Sequence, residues 1–316
     1  MTTKLNVRTA VIRAMVVFII AALTISAIPL KADAAQSGAK KLKAGRTYTV
    51  TLSGTAKHRI KFKNAEIGKS TDNAATRFTL YIDGSKKLTY NGGPDDEGEV
   101  SLIKVNKKTT LIFVSVLSDD DYPVVDMLYR YSGGKLIQAG DLNKLTKTTY
   151  SVTTFRSKVL KLGKGKSHKA GAYLSEWSRF PTVMSAGKNE FTVRWCSQES
   201  STGIYYVTIP YKYSKNKVKR TGSKTYDLKL GGKIGSTNEK GYTWKDNTGT
   251  VAKAFTAYTT AGGTKKSFRA HENDKIKVLK VKLIKAKRYF KVRSEAGQIG
   301  WYQSTKGLFK EAQFAG

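Results

Sequence analysis

The sequence predicts an all-β protein, with an N-terminal multi-sheet domain and a small C-terminal β-barrel. Apolar side chains recur at every second position along most of the chain, which is the period of a strand, and the 3.6-residue period of a helix is almost absent. Turn residues punctuate the chain at strand-sized intervals, with 28 Gly against 5 Pro. Hydrophobic residues make up 40% of the sequence, which is too many for a disordered basic tail, so the chain should fold.

Residues 1–34 are typical of a signal peptide. Three basic residues precede an uncharged apolar run of 15 residues at positions 14–28, and Ala32-Asp33-Ala34 has the small-residue pattern of a cleavage site. The run is shorter than the ~20 apolar residues that span a bilayer. We therefore predict export, with a mature chain that starts near Ala35. The alternative is an uncleaved membrane anchor.

Residues 35–230 carry the signals of several antiparallel strands. Positions 78–82 alternate in hydrophobicity and lead into Asp83-Gly84, two residue types that favour the positive φ angles of a tight hairpin turn. Two longer apolar runs, 111–117 and 204–209, predict central strands that are covered on both faces. Further turn signals lie at Gly133-Gly134, Lys215-Asn216, Gly231-Gly232 and Gly262-Gly263.

A short segment recurs within this region. Residues 129–136 (YRYSGGKL) and 211–218 (YKYSKNKV) lie 82 residues apart, and each follows an apolar strand that ends in a polar loop. This similarity predicts duplicated sheets or propeller-like blades within one domain. Chance similarity between strands rich in Tyr and Lys is the alternative.

The composition changes near residue 231. Residues 231–250 begin with Gly and Ser and lack apolar alternation, which indicates a linker, whereas residues 251–316 are again rich in strand signals. Within positions 275–284 the inward-facing phase slips by one residue at Val278-Leu279, as it does at a β-bulge. The strands predicted in this part are 254–258, 267–271, 275–284, 288–293 and 299–303.

The C-terminal part resembles a bacterial Src-homology-3-like (SH3-like) domain. The resemblance lies in Asn273-Asp274-Lys275-Ile276-Lys277-Val278, Tyr289-Phe290-Lys291-Val292-Arg293 and Gly300-Trp301-Tyr302, where a turn leads into a long strand, an aromatic-rich strand follows and a Gly-Trp pair opens the next. Asn273-Asp274 stands where many members carry Gly-Asp. Residues 43–230 are similar to the β-rich segments that precede such domains in secreted surface proteins of Gram-positive bacteria. The resemblance implies a small β-barrel that binds the cell wall.

The charge of the chain predicts anionic partners. Lys and Arg number 57 against 23 Asp and Glu, a formal net charge of +34, and +31 remains without residues 1–34. Outside a Gram-positive cell the abundant polyanions are phosphate-bearing wall polymers, and on a host surface they are sulfated glycans. We therefore expect salt-dependent binding to an anionic wall polymer or peptidoglycan, or to a host glycan, and no specific nucleic acid. The alternative is that the charge only maintains solubility or reflects a Lys-rich proteome.

Strand alternation places candidate ligand-binding side chains together in the C-terminal part. Tyr289 shares a face with Lys291 and Arg293, and an exposed aromatic ring beside cations can stack on a glycan or peptide and attract anionic groups. The alternative is that Trp301 closes the barrel and Tyr289 merely covers it. The candidate residues are Lys277, Lys280, Tyr289, Lys291, Trp301 and Tyr302.

The sequence predicts neither a catalytic centre nor a cofactor. Cys196 lies in a strand-like run and is predicted to be a core residue, and none of the 3 His lies in a nucleophile motif. Asp119, Asp120 and Asp121 are weak candidates for Ca²⁺, because consecutive carboxylates lack the alternate-position ligands of a calcium loop. No metal site is therefore predicted.

These observations favour a secreted, non-enzymatic protein of the cell envelope, held near peptidoglycan by its cationic surface and its SH3-like domain. Two alternatives stay open. An exported cell-wall hydrolase would need a catalytic domain that these motifs do not identify, and an adhesin would bind host glycans instead.

Overall fold

Antiparallel β-strands account for nearly all of the secondary structure in the described part of the chain. The computed structural model of the chain describes residues 38–67, 75–93, 96–117, 123–146, 150–151, 158–162, 166–170, 173–174, 181–199, 203–222, 225–230, 247–284, 287–303 and 309–310. These residues form 24 strands and one short helix, α1 (Leu142–Thr146). The all-β prediction is confirmed. The predicted signal peptide and positions 231–246 of the predicted linker lie outside the described residues.

The first sheet has six described strands and contains a four-stranded meander. Its order is β12-β11-β5-β4-β3-β2, with every pair antiparallel. The strands are β2 (Tyr48–Thr51), β3 (Lys57–Ile67), β4 (Ala75–Ile82), β5 (Ser85–Asn91), β11 (Lys158–Leu162) and β12 (Lys166–Ala170).

The middle sheet has five described strands in the order β1-β6-β7-β8-β9. They are β1 (Ala39–Lys41), β6 (Glu97–Asn106), β7 (Thr109–Leu117), β8 (Pro123–Ser132) and β9 (Lys135–Asp141). A separate two-stranded ladder joins β10 (Tyr150–Ser151) to β13 (Tyr173–Leu174).

The large sheet contains the remaining eleven described strands. Its main path runs β14-β15-β16-β18-β22-β23-β24-β20-β21, with β17 paired to β16 and β19 paired to β22. The strands are β14 (Thr182–Gly187), β15 (Glu190–Glu199), β16 (Gly203–Ser214), β17 (Lys217–Arg220), β18 (Thr225–Leu230), β19 (Thr248–Thr250), β20 (Phe255–Tyr258), β21 (Lys266–Ala270), β22 (Lys275–Ile284), β23 (Lys287–Ser294) and β24 (Ile299–Gln303).

The middle sheet is covered on both faces, because alternate side chains of its strands enter two different cores. In β7, Ile112 and Val114 pack with residues of the first sheet such as Phe78. Leu111 and Phe113 point to the opposite face and pack with residues of the large sheet. The prediction of a doubly covered strand at 111–117 is therefore confirmed.

The same prediction was wrong for residues 204–209, which lie in β16. Tyr205 and Val207 are buried, but Thr208 between Val207 and Ile209 is exposed, so β16 is covered on one face. Its buried face is rich in aromatic rings, and the indole N–H of the fully buried Trp195 donates a hydrogen bond to Tyr211 Oη at 3.2 Å.

Two-residue hairpin turns set the register of four strand pairs. In each turn both central residues have positive φ, between 48° and 75°, as in the turns whose twist matches that of paired strands. Gly and Asn adopt such angles at little cost, since Gly lacks a Cβ and the short Asn side chain tolerates the left-handed region. These turns are Asp83-Gly84, Gly133-Gly134, Lys188-Asn189 and Lys215-Asn216.

The recurring segment identified in the sequence forms the same kind of hairpin twice. Residues 129–136 span the turn between β8 and β9, and residues 211–218 span the turn between β16 and β17. Each hairpin follows a strand that pairs with its first strand, β7 in one copy and β15 in the other. Whether the two copies reflect a duplication stays a prediction.

The five C-terminal strands agree with the sequence prediction to within one residue at each end. The predicted β-bulge is also confirmed, since the register of β22 against β23 shifts between Val278 and Lys280. Among the described strands, β21 pairs with β20. In addition, Ser267 Oγ of β21 donates a hydrogen bond to the backbone carbonyl of Ile299 in β24 at 2.7 Å. The SH3-like identity of this part stays a prediction.

The large sheet continues across the predicted linker. Strand β18, which precedes it, pairs with β22, which follows it, through Thr225 with Lys282, Tyr226 with Val281 and Asp227 with Lys280. A single core cluster also contains buried residues from both sides, such as Val207 and Phe290. The division into residues 35–230 and 251–316 stays a prediction about domains, but strand pairing joins the two parts.

Candidate functional site

Strand register aligns a row of outward-facing side chains across five strands of the large sheet. Directly paired residues of an antiparallel ladder point to the same face. The pairings Asp227–Lys280, Lys280–Lys291, Lys291–Trp301 and Trp301–Tyr258 therefore form one continuous row across β18, β22, β23, β24 and β20. Neighbouring strands lie about 4.8 Å apart, so this central row is about 19 Å long.

Two further rows flank the central row on the same face. One contains Thr248, Lys277, Arg293 and Ile299, and the other contains Thr225, Lys282, Tyr289 and Gln303. We call the three rows together the cationic face.

The β-bulge in β22 explains how the cations come to share this face. Lys277 and Lys280 are three positions apart, and in a regular strand an odd spacing would place them on opposite faces. The extra residue between Val278 and Lys280 restores the phase, so that Val278 and Val281 are both buried while Lys277 and Lys280 are both exposed. The bulge thus builds the face.

Like charges are placed directly opposite each other on this face. Lys277 pairs with Arg293, and Lys280 pairs with Lys291. Each such pair destabilises a sheet by about 0.2–1 kcal/mol relative to neutral residues. The one carboxylate of the three rows, Asp227, lies 3.0 Å from Lys280 Nζ and neutralises part of this charge. The three rows together hold five cations against this one carboxylate, so the cationic face keeps a net charge of +4.

Aromatic and apolar side chains interrupt the cations. Trp301 is partly exposed between Lys291 and Tyr258 in the central row. Ile299, beside Arg293, is 41% exposed and is the exposed large hydrophobic side chain among the described residues. The face therefore offers flat apolar surface between its positive charges.

Tyr289 and Tyr302 lie deeper than an exposed stacking group would. Tyr289 points to the outer face but is only 8% exposed, because its hydroxyl lies against the turn at Gly262 and near Gln303. Tyr302 is 2% exposed and points to the inner face, where its ring packs 4.7 Å from Phe255 and 6.0 Å from Phe290, measured between ring centroids.

The structure therefore brings Lys277, Lys280 and Lys291 together with Trp301 on one surface, with Tyr289 beneath it, and places Tyr302 in the core. The sequence interpretation placed Arg293 on the same face as Lys291 but did not include it among the candidates, and it missed other members of the face. The phase slip could have identified Lys282. Asp227 and Tyr258 come from strands that are distant in the sequence, so no local pattern assigns them.

Two residues of the segments in which the resemblance was noted have clear structural roles. A Cβ at Gly300 would lie 2.7 Å from Ala257 Cβ, so only glycine lets β24 approach β20 here. Asn273, which stands in place of the more usual Gly, has a φ of 71°, an angle that Asn tolerates better than most residues. Its turn is held by the backbone N–H of His271, which donates to Asp274 Oδ2 at 2.6 Å.

Ionisable groups elsewhere in the described part of the chain have structural roles. Asp126 is 1% exposed between the middle and large sheets and accepts a hydrogen bond from Ser115 Oγ at 2.5 Å. Burial raises the pKa of Asp126 well above its ordinary value of 3.8, the nearby Asp141 raises it further, and hydrogen bonds from Ser115 and Asn143 oppose the shift. Asp96 is 3% exposed and accepts a hydrogen bond from Tyr90 Oη at 2.8 Å.

The calcium candidates Asp119, Asp120 and Asp121 lie outside the described residues. Within those residues, no group of three or more His, Cys, Asp or Glu side chains could hold a metal ion. Cys196 lies in β15 as predicted, with Tyr206 as its backbone partner. None of the helices in the described ranges combines the length and apolar character that crossing a membrane requires.

A second basic region surrounds a groove of about 580 Å³ at the start of the middle sheet. Lys40, Lys104 and Lys107 line it together with Thr51 and Thr110. The lining contains no aromatic side chain. Its lysines lie in β1, in β6 and in the turn after β6, and Lys40 and Lys104 pair with Leu102 and Thr110 rather than with another cation. The cationic face of the large sheet is therefore the stronger candidate for the functional site.

Comparison of the chain with protein families, with curated proteins and with solved structures finds no match.

Proposed function

We propose that this protein is exported and binds an anionic polymer of the cell envelope, either peptidoglycan or a phosphate-bearing wall polymer, without altering it chemically. Binding takes place on the cationic face, and the C-terminal residues 251–316 act as an SH3-like module that retains the protein at the wall.

The observation that carries this proposal is the presence of two like-charged cross-strand pairs on the face. In the free protein Lys277 repels Arg293, and Lys280 repels Lys291. An anionic chain laid along the rows relieves both repulsions, because its charges lie between cations that the sheet already holds at fixed spacing. Local conflicts of this kind are expected where function, rather than stability, selects the residues.

The arrangement favours a polymer over a small anion. The cations come from two neighbouring strands and are spread along a surface rather than gathered in a pocket. Lysine supplies hydrated point charge, which attracts phosphate or carboxylate groups through the summed field and with little geometric selection. Trp301 and Ile299 add flat apolar surface on which sugar rings can pack.

Sedimentation with purified wall sacculi across a salt series tests this proposal. The chain from Ala35 is compared with the double variant Lys277→Gln/Lys291→Gln and with a control, Lys57→Gln/Lys63→Gln, which removes the same charge from exposed positions of β3. If each lysine contacts one anionic group, the slope of log K against log salt should shrink by about 1.4 for the first variant, taking the ~0.7 per contact found for single-stranded nucleic acids.

The control variant should keep most of the slope of the unmodified chain. Equal losses in both variants would show that total charge, not the cationic face, holds the protein to the wall. Release of soluble fragments from the sacculi during incubation would contradict binding without chemical change.

A further inference from the structure

A groove opens on the outer surface of the large sheet, next to the cationic face. It forms where β16 changes its pairing partner: its last residues pair with β17, and Tyr205–Val207 pair with β18. Strand β17 ends at Arg220, and the N–H of the next residue, Thr221, donates to Pro210 O at 2.9 Å. The resulting groove has a volume of about 780 Å³, within the range of ordinary ligand sites.

An arginine and a tyrosine form one wall of this groove. The Arg194 guanidinium carbon lies 5.5 Å from the centroid of the Tyr206 ring, so the guanidinium is held over the ring by a cation–π interaction. A guanidinium held in this way presents parallel N–H donors that match the two oxygens of a carboxylate or a phosphate. Arg194 differs in this respect from the lysines of the cationic face, which act as point charges.

The other polar groups of the groove suit ligand hydroxyls. Thr208 and Thr225 line it, and hydroxyl side chains can both donate and accept hydrogen bonds. Asp227 also lines the groove, and its side chain is 87% exposed. The same carboxylate contacts Lys280, so the groove lies at one end of the central row.

We propose that this groove binds one acidic sugar unit, a sugar ring that carries a carboxylate or a phosphate group, of the polymer that the cationic face holds. The acidic group contacts Arg194, the ring lies beside Tyr206, and ring hydroxyls contact Thr208, Thr225 and Asp227. The inference rests on the proposed function and adds to it a site that selects a chemical unit rather than charge alone.

Calorimetric titration with three monosaccharides tests the inference. Glucuronate carries a carboxylate, glucose 6-phosphate carries a phosphate, and glucose is the neutral control. One or both acidic sugars should bind more tightly than glucose, and the tighter of the two identifies the acidic group. Because Arg194→Lys keeps the charge but loses the paired donors, it should weaken this binding by about tenfold, as expected for a lost charged hydrogen bond.

A matched control is Arg59→Lys, at an exposed position of β3 in the first sheet, which should bind the sugars as the unmodified chain does. Urea unfolding midpoints of both variants verify that the fold is intact. Equal binding of glucose and the acidic sugars, no binding of either acidic sugar, or unchanged binding by Arg194→Lys would overturn the inference. The proposed function is tested separately, because Lys277 and Lys291 do not line the groove. If it is wrong, Lys277→Gln/Lys291→Gln should be retained on sacculi as well as the unmodified chain is.

Discussion

Replacing Lys291 by glutamate should stabilise the fold while weakening its binding to polyanions. Lys291 lies opposite Lys280, so Lys291→Glu converts a like-charged cross-strand pair into an oppositely charged one. Removing a repulsive pair and creating an attractive pair are each worth about 0.2–1 kcal/mol. The two effects together amount to about 0.4–2 kcal/mol. Because Asp227 already lies 3.0 Å from Lys280 Nζ, the combined gain should fall within the lower half of this range, at about 0.5–1 kcal/mol.

Urea unfolding followed by circular dichroism at low ionic strength measures this gain. Urea is uncharged, whereas guanidinium chloride would screen the interaction. With an m-value of about 3 kcal/mol per molar, the midpoint should rise by about 0.2–0.3 M. The rise should vanish in 1 M salt, where the screening length falls to about 3 Å.

The matched control for this experiment is Lys63→Glu. Lys63 is exposed on β3 opposite Thr79, so its replacement changes the net charge by the same amount without touching a like-charged pair. A rise in midpoint that is equal in both variants, or a fall in Lys291→Glu, would refute the claim that the cationic face carries built-in repulsion.

Three further predictions concern burial. Tyr302→Ala should cost about 3–5 kcal/mol of unfolding free energy because its ring is in the core. Trp301→Ala, by contrast, should mainly lower retention on sacculi. Equal effects of the two substitutions on the urea midpoint would contradict the assignment of faces. Gly300→Ala should cost about 1–3 kcal/mol, because the new methyl group would lie 2.7 Å from Ala257 Cβ, and a neutral result in the same assay would contradict this close approach. Since burial raises the pKa of Asp126, the folded chain keeps a proton that the unfolded chain releases, and stability falls as the pH rises from about 4 toward the folded pKa. Asp126→Asn removes this titration, so its stability relative to the unmodified chain should increase between pH 4 and pH 8, and a difference independent of pH would contradict the assignment.

Features that depend on neighbouring residues could be predicted from the sequence. The phase slip at Val278-Leu279 identified the bulge because strand periodicity is a local property. The Asp83-Gly84 turn followed from residue chemistry in the same way. The C-terminal strand bounds also agreed with the structure, since alternation and turn residues mark strand ends directly.

Features that depend on distant pairing could not be predicted. The neighbour of Lys280 in the central row is Asp227, which belongs to a strand on the other side of the predicted linker. The burial of Tyr289 depends on a turn at Gly262 that folds over it. At residues 204–209, Tyr206 made the run resemble a doubly covered strand, but a tyrosine can lie on an exposed face because its ring is apolar and its hydroxyl is polar.

Covalent footprinting of lysines tests most directly which surface binds the polymer. Acetylation of the chain from Ala35, free and bound to sacculi, followed by mass spectrometry, reports the accessibility of each lysine. We expect Lys277, Lys280, Lys282 and Lys291 to become protected, while Lys57 and Lys63 of β3 remain reactive. Protection spread evenly over all lysines, or concentrated at Lys40, Lys104 and Lys107, would contradict this expectation.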